Sequence, residues 1–266
     1  MTTDARMLVQ GWRAETAGMI PEAVLTWAAR QFPGRIALSS SLGAEDQVLT
    51  DMIVRSGSAI PIFTLDTGRL FEESYELIAR TEARYGIKFK VYFPDPRAVE
   101  RMVNGYGVNL FRESAEMRKL CCEVRKLGPL RRALVGLDAW VTGLRRSQSV
   151  TRTEVEVLEW DETNGLLKIN PLANWEEDDV WGYLRERQVP YNVLHDRGFP
   201  SIGCSPCTRA VPAGDDPRSG RWWWERPEHR ECGLHTRPGS VLHALGKATG
   251  VGLRNASGSS REAREK

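Results

Sequence analysis

Apolar positions along the first 145 residues alternate between two rhythms, short continuous runs and a three-to-four-residue spacing. Ile36-Ala37-Leu38-Ser39, Ile60 to Leu65, Lys88 to Phe93 and Ala139-Trp140-Val141-Thr142 read as strands. Between them, Pro21 to Arg30, Glu45 to Val54, Glu72 to Tyr85 and Val124 to Leu134 carry helical spacing, the last of these despite Pro129. Strands alternating with helices predict an α/β fold, a mainly parallel sheet with helices on both faces.

After Arg146 the pattern changes. Val155 to Trp160 and Leu166 to Ile169 flank Asp161-Glu162-Thr163-Asn164-Gly165, which predicts a hairpin at the edge of the sheet. Asn174, three residues before Glu177, predicts the cap of a helix containing Val180 and Leu184. From Phe199 to His235 there is little periodicity, and glycine, proline, arginine and tryptophan are frequent. A loop of that length in a compact domain suits a functional lid. The expected organisation is a single domain over 1–238, with 199–238 as its lid, and a mobile tail over 239–266 rich in Gly, Ser, Arg and Glu.

Composition narrows the class. Hydrophobic residues are 41% and charged ones 27%, as in ordinary globular proteins. A net charge of +2 gives no bulk electrostatic reason to expect nucleic acid. No apolar run approaches the roughly 20 residues a membrane span needs. The first six residues lack the regions of a secretory signal, so the expected location is a reducing cytoplasm. There, cysteines serve metals and catalysis rather than structural disulfides.

Five cysteines then carry the chemistry. Cys121 and Cys122 are adjacent, Cys204 and Cys207 form a C-x-x-C, and Cys232 stands alone in Glu231-Cys232-Gly233-Leu234-His235. Two pairs supply four thiolates, enough for an iron–sulfur cluster or a tetrahedral zinc site. Adjacent cysteines project in different directions, which a cluster with separate irons accommodates with less strain than one zinc ion. Unligated core cysteines are the bland alternative. The fifth thiol lies among His229, Arg230 and His235, whose cationic forms favour the nucleophilic thiolate.

Two strand-end loops suggest a ligand. Ser39, Ser40 and Ser41 offer hydroxyls, and Gly43 permits close backbone approach before the helix near Glu45, so this loop is a candidate phosphate or sulfate cradle. An ordinary strand–helix turn is the alternative. Leu65-Asp66-Thr67-Gly68-Arg69 should lie beside it, with Arg69 free to hold an anion or a ribose, or else simply solvated. Arg118, Lys119, Arg125, Lys126, Arg145, Arg146, Arg152, Arg209, Arg218 and Arg221 supply many cations, about half of which should be surface charges. Trp222-Trp223-Trp224 reads as a packing anchor for the lid, and His195 as a polar loop residue.

From Ile36 to His235 the chain resembles the assimilatory adenylyl-sulfate reductases, the cluster-bearing branch of the phosphosulfate reductases. The resemblance rests on Ser-Ser-Leu-Gly-Ala-Glu-Asp at 40–46, Leu-Asp-Thr-Gly-Arg at 65–69, Cys-Cys-x-x-Arg-Lys at 121–126 and Thr-Gly-x-Arg-Arg at 142–146. Gly-Cys-x-Pro-Cys-Thr-Arg at 203–209, Gly-Arg-Trp-Trp-Trp-Glu at 220–225 and Glu-Cys-Gly-Leu-His at 231–235 complete it. Each motif is weak alone; seven in order are specific. Ala44 stands where ATP pyrophosphatases, with their S-G-G-x-D-S loop, have a second glycine, which argues against ATP.

The resemblance implies an adenine nucleotide α-hydrolase-like fold and a [4Fe–4S] cluster on Cys121, Cys122, Cys204 and Cys207. It implies Cys232 as nucleophile with His235 close by, and the adenosine end of the substrate beside the 39–46 loop, Leu65, Thr67 and Gly68. Lys126, Arg152, Arg218 and Arg221 would hold the phosphosulfate. The expected reaction converts adenosine 5′-phosphosulfate to sulfite and AMP through an S-sulfonated cysteine, with thioredoxin or a similar dithiol protein as reductant. The 3′-phosphorylated nucleotide is the nearest rival substrate. A tRNA sulfur transferase and an iron–sulfur regulator are further classes. No membrane or nucleic-acid partner is expected, and the resemblance leaves homo-oligomerisation open.

Overall fold

The computed structural model describes residues 3–148 and 154–226, with side chains from Met7 onward. Helices α1 (Thr3–Glu15) and α2 (Pro21–Gln31) precede β1 (Ile36–Ser40), α3 (Ala44–Ser56), β2 (Ile62–Leu65), α4 (Glu72–Tyr85) and β3 (Lys90–Tyr92). There follow α5 (Pro96–Tyr106), α6 (Ala115–Cys122), α7 (Gly128–Leu134), β4 (Ala139–Val141), β5 (Leu158–Asp161), β6 (Leu166–Ile169) and α8 (Glu177–Arg187). The six strands form one sheet in the order β3-β2-β1-β4-β6-β5. All neighbouring pairs are parallel except β5 with β6, the hairpin at the edge. The expected fold class is therefore present.

Side-chain alternation along the strands divides the interior. Ile36, Leu38, Ile62, Val141, Leu167 and Ile169 face α2, α3 and α8 in the larger core, where Val48, Leu49, Val180 and Leu184 meet them. Ala37, Phe63, Trp140 and Leu166 point to the other face, against Leu130, Ala133 and Leu134 of α7. Burial on both faces explains why the strands read as continuous apolar runs. A third cluster sits off the sheet and joins Met102, Leu110 and Phe111 to Cys121, Cys207 and Trp222. It seats the stretch around the tryptophan triplet, with Trp222 almost fully buried, as a packing anchor requires.

Three helices escaped the sequence pattern: α1, α5 and α6. The last two are capped by Asp95, which accepts from Ala98 N at 2.8 Å, and Ser114, which accepts from Met117 N at 3.2 Å. Only the end of one helix was legible between β3 and β4, where the chain runs from α6 through a π-helical turn at Glu123–Leu127 into α7. Gly128 N reaches back to Glu123 O, five residues away. That widened turn absorbs Pro129, which has no N–H to give.

The cap of α8 differs from expectation. Glu176, not Asn174, is the cap, in a reciprocal arrangement with Asp179 whose carboxylate accepts from Glu176 N at 2.8 Å. The helix starts two residues later than the Asn174 pattern implies, and the Asn174 amide oxygen instead accepts from Arg146. β5 likewise begins at Leu158 rather than Val155.

Candidate active site

The chain leaves β1 toward β2 and β3, then returns to lay β4 on the other side of β1. Ligands of open α/β sheets bind at such a reversal, outside the carboxyl ends of the strands. A cavity of about 360 Å³ opens there. The loop after β1 contributes Ser39, Ser40, Ser41 and Gly43, and the end of β2 contributes Leu65 and Thr67. The loop after β4 adds Thr142 to Arg145, Ser147 and Gln148, and Lys126, Arg218 and Arg221 also reach the cavity. Gly68 and Arg69 stand outside its lining. Arg152, Cys232 and His235 lie outside the described residues.

The loop after β1 is organised by a residue that the sequence reading passed over. Ser41 gives both its backbone N–H and its hydroxyl to Asp46 Oδ2, each at 2.6 Å. The two donors of Ser41, part of the expected anion cradle, are thus engaged by a carboxylate of the chain itself. Leu42 is held at φ +63°, a strained conformation for a branched side chain, with its N–H on Ser40 Oγ at 3.2 Å. On the far side Gly143 packs so closely that a β-carbon there would lie 2.6 Å from Asp46 Oδ1. Only glycine fits.

Burial pushes the Asp46 carboxyl up to about 6, and the Ser41 hydrogen bonds offset only part of that rise. The folded protein therefore holds this proton more tightly than the unfolded chain does. The contribution of Asp46 to stability is fully present below about pH 4, the unfolded value, and is lost as pH rises through about 6. Asp46→Asn keeps an acceptor for Ser41 and removes the buried charge. Urea unfolding at pH 4 and pH 8 should show the variant gaining on the wild type by on the order of 2 kcal/mol across that interval. A difference independent of pH would refute the buried-charge account.

Next to Asp46, Glu45 pairs with buried Arg145 at 2.8 Å. Arg145 also donates to Ser147 Oγ at 2.7 Å and Trp175 O at 3.3 Å, while Gln148 Nε2 donates to Gly143 O at 3.1 Å. This network ties the β4 loop to the start of α3. Its signal in the sequence was the Thr-Gly-x-Arg-Arg motif, but a clamp cannot be told from a substrate ligand by residue type alone.

His195 is not a simple loop residue. It lines the cavity with its ring edge-on to Trp181 at 5.2 Å, and burial lowers its pKa. A backbone group of Phe199 lies close enough to act on the ring, yet neither ring nitrogen makes a hydrogen bond of ordinary geometry.

A second, smaller hollow adjoins the cavity. Cys121, Cys122, Cys204 and Cys207 line it together with Arg69, Arg118 and Arg125, and none of the four is in a disulfide. Lys126, Arg221 and Trp222 border both spaces. Thr67 also bridges them, its Oγ1 lying 3.3 Å from Cys204 Sγ. Arg69 belongs to this hollow, bonded to Val108 O at 2.8 Å and stacked over Phe111 at 4.9 Å. Burial pushes the Cys207 thiol up to about 12 and raises that of Cys121.

The 199–226 stretch is fastened here. Arg118, 1% exposed, donates to Glu225 Oε1 at 2.7 Å and stacks over Trp222 at 4.5 Å. Arg221 covers the same ring at 4.7 Å and donates to Ser201 Oγ and Ile202 O, both at 3.3 Å. A β-carbon on Gly203 would collide with the Arg221 guanidinium, so glycine beside Cys204 leaves the room that places this cation.

An adenine nucleotide α-hydrolase-like sheet with a strand-end cleft and a cysteine-lined hollow defines the class of protein. The Phosphoadenosine phosphosulfate reductase domain model matches residues 35–210. The adenosine 5′-phosphosulfate reductase of Allochromatium vinosum is 57% identical over 202 residues, 76% of this chain and 79% of that one. Its counterpart from Burkholderia cepacia is 53% identical over 201 residues, 76% and 80% of the two chains. Among solved structures, phosphoadenylyl-sulfate reductase from Candida auris in a phosphate complex aligns with TM-score 0.67 at 28% identity, over 79% of this chain and 98% of that one. The chain belongs to the phosphoadenosine phosphosulfate reductase family.

Proposed function

We propose that this protein reduces adenosine 5′-phosphosulfate to sulfite and AMP in the cytoplasm, using a thiol reductant. The observation that carries the reading is the shared wall between the strand-end cavity and the cysteine hollow, with Lys126, Arg221 and Trp222 on both sides of it. The high identity to relatives named for this activity supports the choice of nucleotide.

Adenosine occupies the side of the cavity formed by Ser39 to Gly43, Leu65 and Thr67, near Gly68. The phosphosulfate extends toward Lys126, Arg218 and Arg221, with Arg152 as a further cation. Cys232 Sγ, as thiolate, attacks the sulfo sulfur, and the S–O bond to phosphate breaks. AMP leaves with the electron pair of that bond. Lys126 and the arginines offset the repulsion between thiolate and dianion and stabilise charge gathering on the departing phosphate. His235 accompanies the nucleophile. The product on the enzyme is S-sulfocysteine.

Thioredoxin or another dithiol protein then attacks the Cys232 sulfur and displaces sulfite. Its second thiol resolves the mixed disulfide, so two thiols are oxidised for each sulfite formed. Residues 199–238 form the lid of a 1–238 domain, anchored through its C-x-x-C, and its Cys232 segment moves the nucleophile between substrate and reductant, with 239–266 as a tail.

Cys121, Cys122, Cys204 and Cys207 hold a [4Fe–4S] cluster in this reading. Among the described residues no three Cys, His, Asp or Glu side chains converge as ligands of one metal ion. A cluster gives each thiolate its own iron and asks only that the sulfurs ring a hollow, as these do. Two buried thiols with raised pKa values also need a cationic partner to ionise. Cys121, Cys122, Cys204 and Cys207 would hold the cluster, whose positive core would partly offset the thiolate charge and tie the lid to the helical segment carrying Lys126. The test is anaerobic purification followed by sulfite measurement with the nucleotide and thioredoxin. Sulfite and AMP should form in equal amounts; AMP without sulfite would overturn the reaction.

A further inference from the structure

The cavity is charged oppositely on its two sides, and this polarity has a use. Glu45 and Asp46 enter it from the first turn of α3, and Glu176 and Glu177 from the start of α8. Helices α3 and α8 cover one face of the sheet. Lys126 enters from the π-helical turn leading to α7, which covers the opposite face. Arg221 and Trp222 mark that same side, because they also border the cysteine hollow.

The acidic side is not neutralised from within. Arg145 is the cation among these carboxylates, and its guanidinium is taken up by Glu45 Oε1, Ser147 Oγ and Trp175 O. Asp46 is held by the Ser41 N–H and hydroxyl and by the backbone of Gly43, none of which carries a charge. Those two Ser41 bonds also use two of the donors that the loop after β1 would otherwise turn toward a phosphate. The acidic side therefore offers an incoming anion carboxylates and an arginine already paired with Glu45, whereas the opposite side offers Lys126 and Arg221.

We infer that Asp46 and Glu177 are specificity determinants, forming an acidic wall that admits the uncharged ribose and rejects a nucleotide bearing a second phosphate on that ribose. The inference rests on the adenosine placement proposed above. With the 5′ group committed to Lys126, Arg218 and Arg221, the ribose faces the loop at 39–46, and the inference sets a 3′-phosphate on the side of Asp46 and Glu177. Discrimination here comes from repulsion built against the wrong ligand rather than from an added contact with the right one.

Calorimetric titration of the holoprotein at pH 8 with AMP and with adenosine 3′,5′-bisphosphate tests this. The wild type should prefer AMP by roughly tenfold or more, and raising salt should shrink that ratio. Asp46→Asn and Glu177→Gln should each lower it by roughly threefold, chiefly by strengthening bisphosphate binding. Glu177 is exposed, so its variant guards against a folding defect in the other. Equal wild-type affinity for the two nucleotides, or a ratio that both variants leave unchanged, overturns the inference while the adenosine reading stands. A wild-type protein that binds neither nucleotide overturns both.

Discussion

Cys204→Ser is expected to yield a colourless protein with little or no iron after anaerobic purification, and with it a loss of sulfite formation of at least about a thousandfold. A serine hydroxyl does not ionise at neutral pH and cannot replace a thiolate on iron. The position leaves little scope for compensation. Cys204 Sγ lies 3.3 Å from Thr67 Oγ1, and Ser205 N donates to Arg69 O at 2.8 Å, so the C-x-x-C segment is pinned to the loop after β2. Cys207 is buried against Met102, Phe111 and Trp222 in the same small cluster. Losing the metal should therefore loosen residues 199–226, and limited proteolysis should cut there sooner than in the wild type. Full iron content in the variant would remove Cys204 from the ligand set.

The second large effect falls on a different thiol. Cys232→Ser should keep its iron and its affinity for AMP while sulfite formation falls by about four orders of magnitude, because an alcohol replaces the attacking thiolate. Intact-mass measurement separates this from a structural defect. Wild-type protein given adenosine 5′-phosphosulfate without reductant should gain the mass of one sulfo group, and the variant should gain none. A sulfonated variant would transfer the nucleophile's role to another residue. The contrast matters because the four paired cysteines and the fifth thiol are chemically identical in sequence. One substitution should abolish metal and turnover together, the other turnover alone.

Much of the scaffold was legible from periodicity. The helix over Glu72–Tyr85 and the strand over Leu166–Ile169 have the boundaries that the pattern gives. The hairpin followed from the Asp-Gly turn segment, and Gly165 N indeed bonds Asp161 O at 2.7 Å. What stayed hidden has local causes. Helix α6 is only eight residues long, too short for Met117, Leu120 and Cys121 to stand out as a stripe among Glu116, Arg118 and Lys119, yet buried Arg118 is one of its strongest attachments. The cap at Glu176 hid because three acidic residues follow it, and the Asn174 pattern fitted nearly as well.

The site divides in the same way. Residue type marked the cysteine pairs, the serine loop and the cations, since thiolates, hydroxyls and guanidinium groups advertise their chemistry wherever the chain goes. Destination was not marked. Arg69 and Lys126 are both cations next to recognisable motifs, but Arg69 is drawn to Val108, Asn109 and Phe111 in the cysteine hollow, whereas Lys126 borders both spaces. Ser41 looked like an anion donor until Asp46, five residues on, was brought back onto it by the first turn of α3.

By itself the sequence determined the alternation of strands and helices and the inventory of reactive groups, because both depend on spacing within one segment and on side-chain chemistry. Only the tertiary structure decided which charges face the cleft, which are consumed by internal pairs such as Glu45 with Arg145, and that the cleft and the cysteine hollow share a wall. Those outcomes depend on groups 100 residues apart in the chain and on burial, and neither distance nor dielectric is written in a local pattern.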